Sequence, residues 1–234
     1  MNKILTIAGK ELKGYFQSPM AYIVLSITIA VFNVFFFLII DQSQEATLRD
    51  MFKLMEFMFV FIVPLLTMKI FAEEKSTGTI EFLLTTPTSP SQIVLGKYFG
   101  AFWFFTLILG MTLTYYGILE YFANPDKLPI VLGFLGLWLE GALFISIGIF
   151  TSSLTRSQIV AAISSYVLIF VSYFSISFLK YLQKPWDAIF RYAGVMNHTE
   201  NAFAGIFAPT DMIFFLSGIV FFIVLTRLNV GPQK

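Results

Sequence analysis

Apolar residues run along this chain in long unbroken stretches, separated by short polar segments. Runs of this length predict helices that cross a bilayer; the apolar–polar alternation that a membrane β-barrel requires is absent. The first run is 20–40, whose only strongly polar member is Asn33. The second, 51–72, contains Lys53, Glu56, Pro64 and Lys69, and its uncharged middle, Phe57 to Met68, reaches about 18 Å at 1.5 Å per residue. Crossing there requires ends that snorkel or a bilayer that thins, and Pro64 predicts a kink. Lys53 and Glu56, at i and i+3, predict an interfacial ion pair. Runs 98–119, 130–150, 159–179 and 211–228 bring the expected spans to six, about the number that 234 residues accommodate.

The chain is organised around Met68 to Lys97, a polar island between two apolar segments. A stretch this charged cannot lie in hydrocarbon, so it sits in water at one face of the membrane. Ser89-Pro90-Ser91-Gln92 supplies an N-cap hydroxyl, proline at the first helical position and glutamine three residues after the cap, which predicts a helix running on into the third span. Upstream, Thr79 to Thr85 is a short apolar piece carrying Glu81 and closed by Thr86-Pro87. It reads as a brief amphipathic helix lying flat at the interface and showing Glu73, Glu74, Lys75 and Glu81 to water. Composition alone admits a solvated connecting loop equally well. Gly96 and Gly100 form a small-xxx-small pair that lets another helix approach closely.

Residues 1–18 are amphipathic: Ile4, Leu5, Ala8, Leu12, Tyr15 and Phe16 fall on one side at 100° per residue, with Lys3, Lys10, Lys13 and Gln17 opposite. This pattern suits a helix on an anionic leaflet, and the interrupting lysines exclude a signal peptide. Residues 180–210 mix aromatic and charged side chains, too polar to cross, and are expected to lie in the opposite interface or dip back into the protein. Placing both termini in the cytoplasm puts nine basic residues inside against six outside (Arg49, Lys53, Lys127, Lys180, Lys184, Arg191), a bias of the right sign.

Composition agrees with the pattern: 57% of residues are hydrophobic and mean hydropathy is +0.80, far above a soluble domain. A net charge of +1 gives no nucleic-acid footprint, and the absence of cysteine removes disulfides and thiolate metal sites. No G-x-x-x-x-G-K-[ST] occurs; Gly96-Lys97 has Ser91 in place of the first glycine and Tyr98 in place of the hydroxyl. Neither G-x-S-x-G nor H-E-x-x-H is present, and the only histidine, His198, reads as a surface or interface residue rather than a metal ligand. Glu140, near the middle of the fourth run, is the sharpest single residue. An acid there costs about 3 kcal/mol on the insertion scale, which the surrounding Leu, Ile, Phe and Trp offset. It is either functional, by proton coupling or by lining a polar route, or a structural anchor bonded to a Ser, Thr, Asn or Tyr of another helix; the structural reading is preferred. Glu56 is read as interfacial.

Two blocks carry a family resemblance. Phe71 to Pro87, FAEEKSTGTIEFLLTTP, followed by Gln92 to Lys97, QIVLGK, resembles the first cytoplasmic loop of ABC-2-type transport permeases; Gly148 to Ala161, GIFTSSLTRSQIVA, resembles a second block of the same family. With Lys10-Glu11-Leu12-Lys13 and Ser18-Pro19-Met20-Ala21-Tyr22, the pattern is most like the gliding-motility-associated permease subunit. The resemblance implies an all-α integral membrane protein of six spans, with an N-terminal interfacial helix, a cytoplasmic coupling helix in 73–97 and outer re-entrant helices in 180–210. It implies a permease subunit of an ATP-driven exporter in a bacterial inner membrane, working beside a second permease, identical or paralogous. ATP and Mg would belong to separate ABC ATPase subunits; this chain, expected to bind no cofactor and no nucleic acid, would be no enzyme. The residues placed at the docking surface are Glu73, Glu74, Lys75, Thr77, Gly78, Thr79, Glu81, Phe82 and Leu83. The competing readings are a secondary transporter without an ATPase, and a non-transporting scaffold or mechanical transmitter of an ABC-type motor.

Overall fold

A computed structural model describes residues 3–43, 45–79, 88–175 and 192–231. These residues form ten helices and no strand: α1 (Lys3–Gln17), α2 (Pro19–Ser43), α3 (Arg49–Thr67), α4 (Lys69–Thr77), α5 (Pro90–Met111), α6 (Leu113–Phe122), α7 (Lys127–Leu154), α8 (Gln158–Tyr173), α9 (Val195–Phe203) and α10 (Pro209–Val230). Pairs α3/α4 and α5/α6 run almost without interruption, as rods of 29 and 33 residues. With α2, α7 and α10 they make five helices long and apolar enough to cross a membrane.

The expected fifth span, 159–179, is described only in part. Helix α8 has 16 residues, about 24 Å at 1.5 Å per residue, which falls short of a hydrocarbon core of about 30 Å. Residues 176–179 of that span lie outside the described residues, as do 80–87 of the expected interfacial helix and 180–191 of the expected re-entrant segment. Within 192–210 the structure holds the short helix α9.

Helix α7 is the axis of the bundle. Its most apolar window is 78% buried, against 22% for those of α2 and α10, and it packs on α3, α5, α8, α9 and α10. Close approach explains its glycines: a Cβ at Gly148 would stand 2.0 Å from Thr67 Oγ1, and one at Gly141 would enter the Phe105 ring. Phe105 meets Phe59 edge-on, with centroids 4.8 Å apart, and Phe59 meets Phe32 in the same manner. One contact chain thus ties α2, α3, α5 and α7 into the core.

Pro64 lies inside α3, but the helix is interrupted only at Met68. The cause is a side chain from α7 inserted into the backbone ladder. Ser152 Oγ accepts from the Phe71 and Ala72 amides at 3.0 and 3.1 Å and donates to the Met68 carbonyl at 2.9 Å. It substitutes for the helix's own carbonyls over half a turn. The start of α5 is as its sequence predicts: Ser89 Oγ accepts from the Gln92 amide, Gln92 Oε1 accepts from the Ser89 amide, and Pro90 opens the helix.

Candidate functional site

The polar island gathers four helices at one end of the bundle. Helix α1 lies along α5, and the two glycines set the distance: a Cβ at Gly96 would be 2.6 Å from Ile7 Cβ, and one at Gly100 2.5 Å from Glu11 Cβ. Any larger residue would push α1 away. Tyr15 closes the other side of α1. Its ring stacks on Phe104 at 4.6 Å, and its hydroxyl donates to the Leu66 carbonyl at 2.8 Å. Burial, with Glu11 adding to it, pushes the Tyr15 phenol far above its ordinary range, so it remains a donor.

Between these helices sits Lys97, whose side chain is 1% exposed. Its ammonium donates to Glu11 Oε1 on α1 at 2.8 Å, to Glu74 Oε1 on α4 at 2.8 Å and to the Ile70 carbonyl at 3.0 Å. All three ammonium protons are used, and the Phe71 ring lies 5.2 Å away. A lone buried ammonium would be costly; three acceptors, two of them anionic, offset that cost. The triad joins the helix before the loop, the helix after it and the N-terminal helix through one cation. Beside it opens a groove of about 710 Å³, lined among others by Lys10, Lys69, Glu73, Glu74, Thr77 and Thr79.

A second set of contacts ties this end to α7 and α10. Lys75 Nζ donates to the Ser153 carbonyl, and Asn229 near the end of α10 donates to the same carbonyl and to Ser153 Oγ. Helix α4 then stops at Gly78, whose φ of 72° lies in the left-handed region that glycine adopts without strain.

The residues expected at a docking surface therefore divide. Glu73, Thr77, Gly78 and Thr79 are exposed, as expected. Glu74 and Lys75 are not displayed to water as expected, because each is drawn inward, one by Lys97 and one by Ser153. Glu73, Glu74 and Lys75 belong to the end of the rod α3/α4 rather than to a flat interfacial helix. Glu81, Phe82 and Leu83 lie outside the described residues. Sequence reasoning missed Lys97, Glu11 and Ser152; the small-xxx-small pair was the available signal that α1 would seat beside Lys97.

Two acids lie deeper. Glu140 is fully buried, and neither carboxyl oxygen has a hydrogen-bond partner among the described residues. The anchor expected for it is not among the described residues. Glu56 is 3% exposed and accepts from Thr199 Oγ on α9, while Lys53 pairs with Asp50 at 3.4 Å. The expected Lys53–Glu56 pair at an interface is thus corrected: Asp50 takes the lysine one turn earlier and Glu56 turns inward. His198 is also buried, bonded through Nδ1 to Asp211 at 2.8 Å and through Nε2 to the Tyr192 carbonyl at 2.9 Å. Asn201 donates to the other Asp211 oxygen at 3.0 Å, so this cluster clasps α9 to α10. No group of three or more metal-ligating side chains occurs among the described residues.

A comparison with family models matches residues 5–225 to a family described as ABC-2 family transporter protein. The chain belongs to the ABC-2 transporter family. The match runs from α1 into α10, so the chain is a multi-pass membrane component of a transporter. A comparison with curated proteins gives no match.

Proposed function

We propose that this ABC-2 chain is the permease half of an ATP-driven exporter, in which the 73–97 segment is the cytoplasmic handle for a separate ATPase. The Lys97 triad carries this reading. A force applied to the loop reaches α4 through Glu74, α1 through Glu11 and α5 through the lysine's own backbone. Helix α5 continues into α6, so displacement at Pro90 travels about 50 Å along one rod at 1.5 Å per residue. Ser152 couples the same motion to α7. ATP and Mg belong to the partner, and the permease works beside a second permease subunit.

Six crossings and two cytoplasmic termini in a bacterial inner membrane follow from the same reading. The end of α10 meets Ser153 at the loop end, where α1 also sits, while α9 packs near the start of α3 at the other end: Phe203 stacks on Phe52. The opposite ends held by α7's C-terminus and by α9 support a further crossing between them, which we assign to the stretch that α8 begins. The finer reading, a gliding-motility-associated permease subunit, rests on the quoted sequence blocks alone.

The test is co-expression with an ABC ATPase encoded beside this chain, followed by purification through a tag on the permease. The ATPase is expected to co-purify, and charge reversal at Glu73 and Glu81 to release it while the permease stays folded. An undisturbed complex removes the docking site; transport driven by an ion gradient and indifferent to ATP overturns the whole reading.

A further inference from the structure

We propose that Glu140 is a proton-binding site of this permease, a neutral carboxylic acid held between α3 and α7 that exchanges its proton through Glu56 with water at the end of the bundle away from the 73–97 loop. The site stands on geometry. Glu140 lies halfway along the most buried helix, 0% exposed, with neither oxygen partnered among the described residues. A carboxylate so placed would have lost its hydration and gained no donor in return, a cost of many kcal/mol that a bound proton removes. A proton is also the ligand that needs no coordination shell.

The surroundings supply a path rather than a counter-charge. On α3, Glu56 lies within electrostatic reach of Glu140; on α8, Tyr173 lies within reach of both acids. On α5, Tyr98 spends its hydroxyl on the Ala142 carbonyl at 3.3 Å. On α9, Glu200 and, on α3, Lys53 act on Glu56, while Asp211 of α10 is occupied by His198 and Asn201. Thus, among the described residues, no cation is seen to act on Glu140 directly. Glu56 accepts from Thr199 through one oxygen, and Lys53 and Asp50, one and two turns before it, are more than half exposed. When α3 separates from α7 and water enters, the O–H bond of Glu140 breaks, its proton passes to the Glu56 carboxylate and on to water, and the anion persists until a proton returns. In the closed bundle the proton is trapped.

The experiment needs no ATPase, so its failure is separable from failure of the exporter reading. The full-length permease in lipid nanodiscs is examined by infrared spectroscopy for the carboxylic-acid C=O stretch at neutral pH, in H2O and D2O. The wild type is expected to carry such a band, slow to shift in D2O; Glu140→Gln is expected to lose it while keeping its gel-filtration profile; Glu56→Gln is expected to keep the band at a shifted frequency. A wild type without the band at neutral pH, or a band undiminished in Glu140→Gln, overturns the proposal. Should Glu140→Gln fail to fold, Glu140→Asp decides: it keeps an acid and must move the band, and an unmoved band counts against the site.

Discussion

Lys97→Met tests whether one buried ammonium holds three helices together. Methionine keeps most of the lysine stem, so packing changes little and the perturbation is the charge. Each contact at 2.8 Å is worth about 6 kcal/mol of direct attraction at an effective dielectric of about 20, most of it cancelled by the desolvation of the ions. Removing the lysine leaves two carboxylates, 19% and 20% exposed, facing each other, and an Ile70 carbonyl short of a donor. Orphaning a buried ion pair costs about 3–5 kcal/mol, and partial exposure of the acids places this case near about 3. The measurement is unfolding of the purified permease by SDS in mixed micelles. Lys97→Met is expected to lose about 3 kcal/mol, and Lys97→Met/Glu11→Gln/Glu74→Gln, which is uncharged, to recover to within about 1.5 kcal/mol of wild type. A single variant as stable as wild type, or a triple variant no better than the single, refutes the electrostatic account.

The other expectations use the same assay. Ser152→Ala removes three bonds that bridge α7 to the α3/α4 break and should cost about 1–3 kcal/mol, whereas Ser146→Ala, whose hydroxyl bonds only to Leu143 of its own helix, should cost far less; equal effects would show that the inserted hydroxyl does not hold the break. Gly100→Ala should cost about 1–3 kcal/mol by overpacking against Glu11 and should expose α1 to protease, while Gly110→Ala, with open space around it, should do neither; protection of α1 in both would contradict the contact. Tyr15→Phe should cost about 1 kcal/mol and leave the aromatic stack intact; an unchanged midpoint would mean that the Leu66 bond contributes nothing.

What could be read from the sequence was local or periodic. The Ser89–Gln92 capping box needs only four consecutive residues, and the apolar runs declare the spans by length. The glycine pair announced a close helix without naming it. Contacts across long separations were not legible: Lys97 read as the edge of a polar loop because its partners are 86 and 23 residues away, and Ser152 as part of a polar turn because the amides it meets are 81 and 80 residues away. Glu56 was misplaced for a related reason. Lys53 has an acid three residues away on either side, and nothing local reveals that Thr199, 143 residues away, draws Glu56 inward. Of the fifth span, only the part that α8 covers lies within the described helices.

The central claim, that the segment after α4 faces the cytosol as a handle for an external motor, can be tested without knowing the cargo. The chain has no cysteine, so Ser76→Cys, on an exposed position of α4, gives one labelling site in an otherwise unlabelled protein. A membrane-impermeant maleimide applied to intact cells is expected to leave it unmodified and to label it fully once the membrane is permeabilised. Labelling in intact cells would put the handle on the wrong side of the membrane and contradict the account.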